Sequence, residues 1–301
     1  MVIGKAPQSG VGRCAAGVGR LLVLGLILGA GIAAAASGDR LLATAGATQI
    51  EGTAGGGIVP LAVLAGYGTR EESGGTAVVS RVSTRDYRLD VLGAAWSWHN
   101  RVELSAARQE LRLDTLAAAL GVDENTIRQN VFGVKVRLYG DVIYTRMPQI
   151  SLGAQYKKNL DFFIPRAAGA KDAADTDFYV AASKVFLAGI ADRNVLVNAV
   201  ARYTRANQEG LVGFGGDRNN SRELVFEGSA GIFVDENWLI GSEYRQKPDN
   251  LSFAREQDWK DAFVAWFPDK NWSLVAAWVD LGDIATLNNQ RGWYLSLQGS
   301  F

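Results

Sequence analysis

Beyond residue 40, apolar and polar side chains alternate with a period of two. Phe132, Val134, Val136 and Leu138 interleave with Gly133, Lys135, Arg137 and Tyr139, and Ile150, Leu152, Ala154 and Tyr156 with Gln149, Ser151, Gly153, Gln155 and Lys157. The same rhythm sets Val195, Val197, Ala199, Ala201 and Tyr203 against Asn198, Arg202 and Thr204, and Leu224, Phe226, Gly228, Ala230 and Ile232 against Glu223, Glu227 and Ser229. Successive side chains of a strand point to opposite faces, so each run predicts a strand with one apolar and one polar face. In 178–187, 263–267 and 272–281 both faces are largely apolar or Lys184 interrupts, and the pattern does not assign their faces.

Connections fall into two kinds. Those at 98–101, 235–237 and 268–271 are short; those at 114–130, 158–176, 206–221, 248–257 and 282–291 are long and polar or glycine-rich. From Arg101 onward short and long alternate, as they do in a transmembrane barrel with short periplasmic turns and long extracellular loops. Counting back from the C-terminus predicts strands near 291–301, 271–281, 258–267, 237–247, 222–234, 195–206, 177–187, 149–158, 131–140, 101–113, 86–98, 76–84, 58–68 and 43–52. The expected fold is therefore all-β, an up-and-down antiparallel transmembrane barrel of about 14 strands. Twelve is the alternative, because GTAGGG at 52–57 reads as a loop, a lumenal plug or a bulge. Glycine runs are usually linkers, which favours a flexible first loop.

The first 36 residues differ from the rest. Lys5, Arg13 and Arg20 precede an apolar run at 21–32, and Ala33, Ala34, Ala35 and Ala36 follow it. This is the layout of a cleaved signal peptide at 1–36, with a barrel domain at 37–301. The uncharged stretch 21–36 falls short of the about 20 residues a spanning helix needs. Cys14, the one cysteine, precedes the apolar run, which disfavours a lipoprotein, and cleavage leaves no thiol for a disulfide, metal or nucleophile. With 31 Lys+Arg against 31 Asp+Glu and 48% apolar residues, the chain shows no signature of nucleic-acid binding or disorder. Its 35 glycines suit strands and tight turns.

The last strand carries further information. In WYLSLQGSF at 293–301, Trp293, Leu295, Leu297 and Phe301 share one face. This resembles the terminal strand of outer-membrane barrels, which the barrel-assembly machinery reads; Gly299 departs from the usual bulky residue there. Trp238, Trp259, Trp266, Trp272, Trp278 and Trp293 fall near predicted strand ends or outward faces, where aromatic girdles belong. DAFVAWFPDK at 261–270, VDLGDIA at 279–285, KPDNL at 247–251 and RGWYLSLQ at 291–298 resemble a proteobacterial family known only as a domain of unknown function, as do QIEGTAGGG at 49–57 and GFGGDRN at 213–219. That resemblance implies a Gram-negative envelope protein and supplies no activity, ligand or cofactor.

With apolar faces turned to lipid, the inward charges are Lys135, Arg137, Lys157 and Arg202 on middle strands and Glu223, Glu227, Glu243 and Asp261 on those that follow, with Arg245 as an exception. A basic wall facing an acidic one would orient polar solutes or ions, and a porin-like channel in the outer membrane is the leading expectation. The alternatives are a hydrophobic-ligand transporter with an N-terminal plug, to which Phe233 and Leu196 would be suited, and a closed structural or adhesive barrel acting through 210–220 and 282–291. Catalysis is not expected. His99 is the single histidine and sits in a predicted turn, and Asp172, Asp175, Asp177, Asp280 and Asp283 lack a recognised calcium-loop spacing. No metal or cofactor is expected; the expected partners are outer-membrane lipid, the assembly machinery and small solutes.

Overall fold

The computed structural model describes residues 40–301. The signal peptide expected at 1–36 lies outside the described residues. Two short strands, β1 (Ala47–Thr48) and β2 (Ala54–Gly55), precede twelve long ones: β3 (Ser73–Thr84), β4 (Arg88–Trp98), β5 (Val102–Arg112), β6 (Thr126–Tyr139), β7 (Gln149–Asn159), β8 (Ala174–Ile190), β9 (Arg193–Thr204), β10 (Glu223–Phe233), β11 (Trp238–Arg245), β12 (Trp259–Trp266), β13 (Trp272–Asp280) and β14 (Arg291–Ser300). Each of the twelve pairs antiparallel with its sequence neighbour, and β14 pairs with β3 to close a barrel. Closure leaves no unpaired edge, which is what lets strands stand in lipid.

Twelve strands, not fourteen, make the wall. The segments 43–52 and 58–68 do not join it; they lie inside the barrel, with Ile50, Ile58, Val59 and Leu64 fully buried. A wall strand turns every second residue to lipid, and these segments instead bury nearly every residue. Pro60 and the glycines at 55–57 also suit irregular backbone better than a ladder.

One end of the barrel carries short turns, at 99–101, 191–192, 234–237 and 267–271, together with the longer 140–148. The other carries the loops 113–125, 160–173, 205–222, 246–258 and 281–290, holding α1 (Asp114–Leu120), α2 (Phe163–Ala167) and a 3-10 turn at Asn207–Gly210. The outward face is apolar, with Leu104, Phe132, Leu152, Phe226, Ile240 and Leu295 exposed. Aromatic rings flank this band. At the turn end stand Trp96, Trp98, Trp238 and Trp266, the last two stacked at 5.6 Å. At the loop end, Trp278 and Trp293 meet edge to face at 5.0 Å, and Tyr203 and Tyr244 are exposed at the same end. Trp259 differs from the sequence expectation: it faces inward, buried, with the Lys247 ammonium 5.1 Å from its ring.

The strands with ambiguous faces now have a reason for their pattern. In β12 and β13 the inward Phe263, Ala265, Val275 and Ala277 are buried apolar residues lining a lumen that is partly filled by protein. Lys184 of β8 points outward near the turn end and reaches back to the Ile143 carbonyl at 3.0 Å. At the closing seam, Phe301 and Gly75 exchange backbone hydrogen bonds of 2.7 and 3.0 Å. The Phe301 ring packs 6.0 Å from Trp96.

Candidate functional site

The lumen is occupied by the chain's own N-terminal segment. Arg40 fastens its start by donating to the Leu64 and Gly66 carbonyls at 3.3 and 2.9 Å. The segment then turns through the β1–β2 hairpin, paired Ala47 to Gly55 and Thr48 to Ala54. Irregular backbone in a closed interior must find partners for its N–H and C=O groups. Wall side chains supply them. Lys135 donates to the Ala54 and Leu61 carbonyls at 3.0 and 3.1 Å, Gln109 to Ile50 at 2.9 Å, Gln149 to Ala62 at 2.6 Å and Asn198 to Pro60 at 3.1 Å. Glu103, 3.4 Å from Lys135, accepts from the Ala65 N–H at 2.8 Å and from the Thr53 hydroxyl.

The glycine run at 55–57 is a fitted contact, not a flexible linker. Glu243 Oε2 accepts from the Gly57 and Ile58 N–H groups at 2.7 Å each, while its Oε1 accepts from Ser229 at 2.8 Å. A Cβ on Gly56 would overlap that carboxylate, and one on Gly55 would lie 2.6 Å from the Val59 carbonyl oxygen. Only backbone fits at this approach. Asp261, opposite Glu243 in the β11–β12 register, accepts from the Glu243 N–H at 3.1 Å; its Oδ2 is buried without a hydrogen-bond partner.

Glu51 reaches a cluster of wall charges towards the loop end of the lumen. Its carboxylate pairs with Lys157 of β7, lies 3.0 Å from Arg245 of β11 and 3.7 Å from Arg202 of β9. Wall acids complete the cluster: Asp177 at 2.7 Å from Lys157 and 3.6 Å from Arg202, and Glu227, which pairs with Arg202 and lies 3.6 Å from Arg245. The Tyr179 ring sits 5.0 Å from the Arg202 guanidinium. Burial alone would raise the Glu51 carboxyl, but Arg245, Lys157 and Arg202 outweigh it and hold the group well below its ordinary value of 4.5.

From the loop end, 205–222 folds down over this cluster. Asn207, Gln208 and Glu209 are buried, and Glu209 pairs with Arg245 while lying 3.8 Å from Lys157. Gln208 accepts from Lys247 at 3.0 Å, and Asn159 donates to the Leu211 carbonyl at 2.7 Å. Gln208 and Glu209 hold left-handed backbone, with φ of 44° and 61°, a conformation that side-chain-bearing residues adopt at a cost. The stretch 210–220 therefore acts partly as a lid, with Phe214 fully buried.

Of the residues expected to line the lumen, Lys135, Arg137, Lys157, Arg202, Glu227, Glu243 and Asp261 are buried on inward positions. Arg137 lies towards the turn end and pairs with Asp141 at 2.9 Å. Glu223 is exposed at the loop end, where it accepts from Asn219. No basic wall faces an acidic one: the charges neutralise one another between nearby strands and through the plug. Glu103, Asp177 and Glu209 interleave with the cations, and Glu51 reaches them from inside; sequence reasoning missed all four roles. Period two places Glu103 and Asp177 inward once β5 and β8 are in register, but nothing local announces Glu51 or Glu209.

The remaining candidates are engaged elsewhere. His99 sits in a turn with its Nδ1 2.7 Å from the Arg70 carbonyl. Asp172 and Asp175 pair with Arg205, at 2.9 and 2.5 Å. Asp280 pairs with Arg291 at 3.0 Å, and Asp283 accepts from Gln257 at 2.7 Å. Trp293 and Leu295 of the terminal strand are exposed on the outer face, with Leu297 and Phe301 half-buried beside them.

No curated protein matches the chain. Among solved structures it is similar to KdgM porin, at 10% identity and TM-score 0.48, covering 75% of this chain and 99% of that one. It is similar to NanC porin at 13% identity and TM-score 0.44, covering 76% and 99%. A third similarity, at 12% identity and TM-score 0.39 over 81% and 96%, is to the COG4313 outer membrane channel from Pseudomonas putida F1. The family model described as "Protein of unknown function (DUF3034)" matches residues 44–298, a span that takes in both the plug and the wall, and the chain belongs to that family.

Proposed function

We propose that this protein is a barrel of the Gram-negative outer membrane that serves as a gated passage for small polar solutes or ions, held closed by its own residues 41–68. The observation that carries this reading is the Glu51 cluster, in which a single plug carboxylate holds Lys157, Arg202 and Arg245 of the wall. A permanent plug is held at least as firmly by packed apolar side chains, because desolvating ions offsets much of their attraction. A charged contact suits a plug that separates into water. Behind it, Gln109, Lys135, Gln155 and Asp177 give the wall at β5–β8 a polar lining.

The apolar outer band with aromatic rings at both ends supports a place in a membrane. Among the described residues no helix is long and apolar enough to cross one. The short turns and the described N-terminal segment share one end, which is periplasmic in this reading, and lipid surrounds the wall. The face of Trp293, Leu295, Leu297 and Phe301 is the signal offered to the barrel-assembly machinery. Nucleic acid, cofactors and catalysis have no part in this reading.

Solute uptake tests it. Vesicles holding the wild-type protein should swell slowly in isotonic arabinose, and vesicles holding Glu51→Gln should swell several times faster. Equal rates, with both proteins folded, would count against a gate at this cluster.

A further inference from the structure

In the turn-end half of the lumen the plug leaves space along one side. Between it and β8–β13 lies a cavity of about 480 Å³, within the range of about 300–1,000 Å³ that small-molecule sites occupy. Leu61 and Val63 of the plug face Leu196, Phe233, Leu239 and Phe263 of the wall across it. From Leu239 near the mouth to Glu243 at the inner end, β11 rises about 13 Å.

The polar atoms at the inner end are already committed. The Glu243 carboxylate accepts from Gly57, Ile58 and Ser229 at 2.7, 2.7 and 2.8 Å, so both of its oxygens already have partners at depth. The mouth is at the turn end, bordered by Asp192, Arg193, Asp235 and Glu236. Arg193 is turned onto the Val234 carbonyl, and Asp235 accepts from the Asn237 and Trp238 N–H groups at 2.8 and 2.9 Å. Asp192, Arg193, Asp235 and Glu236 are all exposed there, and three acids against one base leave the rim net negative.

We propose that this cavity binds a single-tailed amphiphile with an amine head, entering tail-first from the turn end. The apolar walls take the tail, the occupied inner end keeps the head at the rim, and the acidic rim favours an ammonium over a carboxylate. The site is formed with the plug seated, so it does not depend on the gate. Because Gly55–Gly57, Leu61 and Val63 form one side of it, an occupant also rests against the plug.

Equilibrium dialysis of decylamine and of decanoate against the protein in zwitterionic-lipid nanodiscs, with empty discs correcting for lipid uptake, reads this directly. Saturable binding of one decylamine per barrel is expected, at least threefold tighter than decanoate. Ala265→Trp and Val275→Phe, which fill the cavity from the wall, should each weaken it at least tenfold while the folded barrel keeps its heat-modifiable gel mobility. Glu236→Lys combined with Asp192→Lys should reverse the preference of head group. Uptake no greater than in empty discs, or undiminished in both filled variants, overturns the site. A preference for decanoate that ignores the rim substitutions overturns the amine head. None of these readouts involves conductance, so they stand apart from failure of the gate.

Discussion

Glu51 and Arg245, 194 positions apart in the chain, meet at 3.0 Å inside the barrel, towards its loop end. Neither has an exposed atom of consequence, and each has further partners of opposite charge. The plug is thus tied to the wall at a point where loss of either partner strands charge away from water.

Removing one member of such a cluster costs about 3–5 kcal/mol. Glu51→Gln should lower stability in denaturant by about that amount and raise hydrogen exchange across 45–60 more than in the wall. Arg245→Gln should do the same, and the double variant should lose less than the sum. An additive cycle would show that the pair is not coupled.

Glu51 also carries a pH expectation. Its carboxyl sits well below 4.5 in the fold, so its contribution is complete above that value and is lost as pH falls through the lower folded value. The stability difference between the wild type and Glu51→Gln should therefore be the same at pH 5 as at pH 7.

Gly56→Ala places a methyl group against the Glu243 carboxylate. Overpacking of this kind costs about 1–3 kcal/mol. The thermal midpoint should fall, and Glu243→Ala in the same chain should recover part of the loss attributable to the clash. No recovery would mean that the glycine is needed for another reason.

Glu209→Gln weakens the lid, whose left-handed Gln208 and Glu209 are held in part by Arg245 and Lys247. Protease added at the loop end should cut within 205–222 at least several times faster than in the wild type. Solute flux should stay unchanged, because the plug still fills the lumen below.

Trp238→Ala removes a ring stacked on Trp266. Such pairs contribute about 0.5–1.5 kcal/mol beyond buried area. Unfolding from vesicles should show a loss of that order or greater, with no change in flux.

Much of the wall was legible because lipid imposes a strict rule on it. Phe132, Leu152, Val197 and Phe226 must face outward, so their neighbours Lys135, Ser151, Asn198 and Glu227 must face in, and the turn pattern then orders the strands. The plug obeys no such rule. Its residues 43–52 and 58–68 contain enough β-branched and apolar residues to pass for strands, and only their burial on every side shows otherwise. Gly56 looked like a linker because the side chain that requires it, Glu243, lies far away in the sequence. Inward charge was readable strand by strand, whereas the pairing that neutralises it depends on Glu51 and Glu209 arriving from outside the wall.

Single-channel recording in planar bilayers tests the closed, plug-gated lumen most directly. The wild-type protein, shown to be folded by its heat-modifiable mobility, should give no sustained conductance, and Glu51→Gln should give discrete steps at the same protein density. Steady conductance from the wild type, equal to that of the variant, would contradict the account.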